Sequence, residues 1–190
     1  MRTRTKAWVG LLLIGGFGLF LTSCDKAKDP EPADENELIT TVSLTFTEQG
    51  GGSPQTFTFR DPDGDGGQAP TRFDNISLKA NTTYTLTIAL LDESKSPAKN
   101  LTTEVQEKRD EHLFVYTATP ATLLTYTYGD RDSRNFPVGL TGTARTGAVG
   151  TGKLNVRLRH QPPVNGVAVK NGTVAPGSDD VNINFNLTVN

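Results

Sequence analysis

Residues 181–189, VNINFNLTV, alternate without a break: Val181, Ile183, Phe185, Leu187 and Val189 are apolar, and Asn182, Asn184, Asn186 and Thr188 between them are polar. Successive strand side chains point to opposite faces, so this stretch predicts a strand with one dry and one wet face. The same period recurs upstream. Val42, Leu44 and Phe46 alternate with threonine and serine, Phe57 and Phe59 with threonine, Tyr84 through Leu90 with Thr83, Thr85 and Thr87, and Leu154, Val156 and Leu158 with Asn155, Arg157 and Arg159. Further strands are expected over 75–79, 112–118, 122–128 and 138–144.

Glycine and proline gather between these runs, at 50–54, 62–70, 147–152 and 162–177, where turns need them. Many short amphipathic strands separated by turns predict an all-β domain, an antiparallel immunoglobulin-like β-sandwich of about eight or nine strands. A barrel is the lesser alternative. One segment departs from the period: residues 101–111, LTTEVQEKRDE, are charged, with Leu101 and Val105 four apart. They predict one short surface helix capped by Thr102 or Thr103.

The first residues read differently. Arg2, Arg4 and Lys6 precede the uncharged run 7–21, AWVGLLLIGGFGLFL, and then Leu21-Thr22-Ser23-Cys24, which holds the only cysteine of the 190 residues. A basic start, a short apolar stretch and a small residue make an export signal. The run is shorter than the roughly 20 apolar residues of a spanning helix. Residues 1–23 are therefore expected to be a signal peptide. Residues 24–36 would be an anchored cysteine and an acidic, proline-containing tether, solvated because it has little to bury. Residues 37–190 would form one β-domain.

The Leu-x-Ser-Cys order resembles the lipobox of bacterial lipoproteins. The resemblance implies cleavage before Cys24, acyl chains on its sulfur and attachment to a membrane of the cell envelope, with the outer membrane as the expected one. Each buried methylene adds about 0.8 kcal/mol, so two or three chains would hold the protein in place. With the D-P-D-G-D-G loop at 61–66 and P-V-G-L at 137–140, the exported part resembles short Gram-negative envelope lipoproteins that carry a threonine-rich β-domain.

Without residues 1–23, sixteen basic residues stand against twenty-one acidic ones. A mildly acidic domain with no basic stripe is a poor partner for nucleic acid. A lone cysteine permits no disulfide within the chain, so stability must come from packing.

Asp61-Pro-Asp63-Gly-Asp65-Gly66 is the best candidate for chemistry. Carboxylates at alternate positions before a glycine can gather oxygens around Ca2+, with Asp74 as a late ligand, although Arg72 stands where an EF-hand has its bidentate glutamate. Asp-Gly is equally strong turn chemistry, so a calcium loop and a plain turn both remain open. Asp130-Arg131-Asp132 is a poorer version of the same pattern.

Gly147–Lys153 has P-loop spacing, but Leu154 replaces the Ser/Thr and a strand pattern follows, so a glycine-rich hairpin is expected there. His112 and His160 belong to no metalloprotease or hydrolase motif, and His160 continues the inward register of Leu158. Tyr126, Tyr128 and Phe136 are the aromatics that could offer a sugar platform. The expected function is a non-enzymatic binding or scaffolding module for another envelope protein. A ligand-binding accessory for glycan or nutrient capture, assisted by calcium, is the alternative.

Overall fold

A computed structural model describes residues 38–64 and 66–190. They form eleven strands and one helix, arranged as two sheets over a shared apolar core. The all-β expectation and its two-layer form hold.

The first sheet contains β1 (Thr41–Glu48), β2 (Gln55–Arg60), β3 (Arg72–Phe73), β5 (Thr83–Asp92), β6 (Lys99–Asn100), β8 (Leu124–Tyr128) and β9 (Thr141–Thr146). Its order is β3-β2-β1-β5-β9-β8, with β6 also on β5. The second contains β4 (Ile76–Leu78), β7 (His112–Thr119), β10 (Gly150–His160) and β11 (Ser178–Val189), ordered β4-β11-β10-β7. Every pair is antiparallel except β4 with β11, which is parallel. Period-two reading finds strands but not the direction in which they pair.

The alternation becomes the core directly. Val42, Leu44, Phe46, Tyr84, Leu86 and Leu90 of the first sheet bury against Leu154, Val156, Leu158, Phe185, Leu187 and Val189 of the second. Each such side chain removed from water contributes about 1.5–3 kcal/mol. The outer face of β1 and β2 is a hydroxyl ladder, with Ser43 bonded to Thr58 and Thr45 to Thr56. Cross-strand pairs of this kind explain the abundant threonine.

Three local expectations are corrected. The helix α1 spans Leu101–Glu107 and buries Leu101 and Val105, but its cap is Asn100, whose side chain accepts from the Thr102 amide. Thr102 turns its hydroxyl to β5 instead, accepting from the Leu90 amide and donating to the Leu90 carbonyl. The strand expected over 138–144 begins only at Thr141. The Asp130 carboxylate takes the Gly139 and Leu140 amides, and Gly139 adopts φ +95°, where an added Cβ would strike Phe114. Finally, the glycines at 147–152 make no hairpin: β9 pairs within the first sheet and β10 within the second, so Gly147–Val149 is a corner between layers.

Candidate functional site

The chemistry concentrates where β7 begins and β10 and β11 meet. His112 and His160 are direct cross-strand partners on the inward face, continuing the rows of Phe114 and Leu158. Their rings stack with centroids 4.9 Å apart and planes 6° from parallel. Opposite them, the β10–β11 register slips between Leu158 and Arg159: Leu158 faces Val181 while Arg159 faces Asp179. Asp180 is the extra residue of this bulge. Bulges re-aim side chains, and here the Asp180 carboxyl comes to 3.8 Å from His112 Nε2 and 4.0 Å from His160 Nδ1. Its side chain is only 9% exposed.

Burial sets the charge states. It pushes the His112 ring down to about 4, against the raising effect of its bond to the Lys108 carbonyl. Because a carbonyl only accepts, Nδ1 of the neutral ring carries the proton and donates it across 3.0 Å. Burial also raises the Asp180 carboxyl above the usual carboxylate range, with Asp179 adding to the rise and His160 and Arg159 opposing it. His112 and Asp180 are therefore no ion pair at neutral pH. Their spacing exceeds a hydrogen bond and suits a bridging donor. Asp180 Oδ1 and His160 Nε2 are both buried without a hydrogen-bond partner.

Asp179, one residue earlier, is committed. Its carboxylate meets the guanidinium groups of Arg159 and Arg157. Arg159 also donates to the Pro176 and Gly177 carbonyls, and Gln161 reaches the Thr173 and Pro176 carbonyls. The long connection from β10 to β11 is thereby clamped beside the histidines. A second clamp is Lys170, buried with its Nζ 3.0 Å from the buried Asp132 carboxylate and 2.8 Å from the Arg109 carbonyl.

A cavity of about 340 Å3 opens beside this cluster. Ile39, Val42, Phe59, Val181 and Ile183 supply apolar wall, while Asp61, Asp179, Asp180 and Asn182 supply the polar part. Its size falls in the range of small-ligand sites. Nothing in the linear sequence announced it. The signal that existed was the inward register of His160, which the cross-strand partner and the bulge complete.

The aspartate loop borders the same cavity through Asp61 and Gly64. Asp63 accepts from the Gln68 amide, and this bond, with help from the Asp61 side chain, keeps its carboxyl below the ordinary value. Asp65, Cys24 and the lipobox residues Leu21, Thr22 and Ser23 lie outside the described residues. Asp74 does not join the loop: Arg72 and the Thr58 amide hold its carboxylate. Asp130 and Asp132 bind backbone amides of their own turn, and Asp132 also faces Lys170. Among the described residues, no group of His, Cys, Asp and Glu is arranged to hold a metal ion.

The three aromatics considered for sugar stacking are engaged elsewhere. Tyr128 donates to the Phe114 carbonyl, Tyr126 packs on Tyr116 at 4.3 Å, and Phe136 lies under the Arg134 guanidinium. Among the described residues no helix is long and apolar enough to cross a membrane. No family model, curated protein or solved structure matches the chain.

Proposed function

We propose that this chain is a lipid-anchored module of the cell envelope that binds rather than catalyses. In this reading Cys24 carries the acyl chains at the outer membrane, residues 24–36 are the tether, and an immunoglobulin-like sandwich presents the site. The sequence leaves two roles open, a scaffold for another envelope protein and an accessory that captures a ligand. The cavity of about 340 Å3 bordered by Asp180 favours capture, and it is the single observation that carries the choice. Calcium held by Asp61, Asp63 and Asp65 would brace the cavity rim without taking part in any reaction.

Two experiments test this. Cys24→Ala should abolish palmitate incorporation and shift the protein out of the detergent phase; an unchanged distribution refutes the anchor. Native mass spectrometry of the full chain purified from its own membranes should show a bound small molecule that Ile183→Trp, which fills the cavity, removes. Identical spectra for both proteins would refute capture at this site.

A further inference from the structure

We infer that His160 is a proton-operated latch: on taking up a proton it draws Asp180 of the β11 bulge and Glu111 of the turn before β7 onto its two ring nitrogens. The latch is a property of the cavity wall and holds whatever the cavity takes.

The ring lies between two carboxyl groups from different segments. Its Nδ1 stands 4.0 Å from Asp180 Oδ1 and its Nε2 stands 3.8 Å from Glu111 Oε2. Neither spacing is a hydrogen bond, and Nε2 and Asp180 Oδ1 are buried without one. A neutral imidazole has a single donor, so it can answer only one carboxylate; the imidazolium has two and answers both. Charge-assisted bonds of this kind close to about 2.7–2.9 Å, so each contact would shorten by about 1 Å. The other charged groups around the cluster are held elsewhere. Arg157 and Arg159 of β10 meet Asp179 of β11, Lys108 of the turn before β7 meets Glu104, and Lys170 of the β10–β11 connection meets Asp132. Histidine is left to change charge between about pH 5 and pH 8.

His112 fixes the number of protons. It stacks on His160 at 4.9 Å, its Nδ1 already donates to the Lys108 carbonyl, and its Nε2 faces the same Asp180 carboxyl. Two cations stacked so closely repel, and burial keeps the His112 ring neutral down to about pH 4. The pair therefore holds one proton, on His160. Asp180 and Val181 both line the cavity, so closing the latch moves that wall.

The chain has two histidines, so imidazole NMR of the full chain in detergent follows each ring singly, with His112→Gln assigning the signals. Between about pH 8 and pH 5 the His160 ring alone should take up a proton, and the backbone amides of Asp180, Val181 and Ile183 should shift with the same midpoint. Glu111→Gln and Asp180→Asn should each move that midpoint to lower pH by about one unit, whereas Glu48→Gln, at the far end of β1, should leave it in place. An unmoved midpoint in Glu111→Gln would overturn the latch. So would proton uptake by both rings above about pH 5, or amides at 180–183 that do not follow the ring. If Asp180→Asn fails to fold, Glu111→Gln decides, because that side chain is 27% exposed and its loss leaves the core untouched.

Discussion

At His112 the buried environment selects one charge state, and pH reads that selection as stability. The ring is held at about 4 when folded, against 6.5 when exposed. The unfolded chain therefore binds a proton first. The stabilisation is complete above pH 6.5 and is lost as pH falls toward 4, by up to about 3 kcal/mol. Asp180 acts with the opposite sign, because its raised pKa lets the folded state keep a proton longer and offsets part of the loss. His112→Gln, which cannot titrate, should show a smaller drop in Tm between pH 7 and pH 4.5 than the unaltered protein. Equal drops would place the acid sensitivity elsewhere. Lys170 is the second residue whose burial makes it consequential. Burial lowers its pKa while Asp132 opposes the shift. Lys170→Met would take away the nearest cation of the buried Asp132 carboxylate and leave it only the Arg134 guanidinium at 4.0 Å, at a cost of about 3 kcal/mol. Adding Asp132→Asn should recover part of that loss in urea unfolding, because the amide removes the stranded charge while its oxygen still serves the Arg134 and Phe136 amides.

Among the elements, α1 depends on residues outside its own period. Asn100 caps it and Thr102 ties it to β5. Asn100→Ala should cost about 1 kcal/mol, whereas Thr102→Val should cost about 1–3 kcal/mol by leaving the Leu90 amide unsatisfied. Thermal unfolding of both variants orders the two effects, and a larger loss for Asn100→Ala would make the cap the main fastening. The same distinction marks what could be read from the chain. Strands β1, β5, β10 and β11 were legible because alternation is a local property with a fixed period. The two-residue strands β3 and β6 are too short to have a period. The cap was assigned to the wrong side chain because Asn100 and Thr102 are both capable caps, and only the position of β5 decides which is free to do it. The site was illegible for a stronger reason. His112, His160 and Asp180 lie on three strands, and their meeting depends on register and on a bulge in Ser178–Asp180, where no apolar residue fixes the phase.

For the whole domain, the decisive property is that neither sheet has a core of its own. Buried residues from both sheets form one cluster, and the chain changes sheets repeatedly, at the β9–β10 corner among other places. The sequence announced this arrangement by giving each strand only one dry face, since two half-dry sheets must cover each other. It did not announce the parallel β4–β11 pair, which ties the short strand Ile76–Leu78 to the last residues of β11. A shared core with no disulfide predicts a single cooperative transition. Leu154 is fully buried in β10, between Ala118 of β7 and Phe185 of β11. Leu154→Ala should cost about 2–5 kcal/mol, and the cost should appear in both layers. Native-state hydrogen exchange measures this: slow amides of β1 and β5 should lose protection in parallel with those of β10 and β11, although the substitution lies in the second sheet alone. Loss confined to β7, β10 and β11 would mean that the layers open independently. The bulge at Asp180 would then belong to a sheet able to rearrange without disturbing the first.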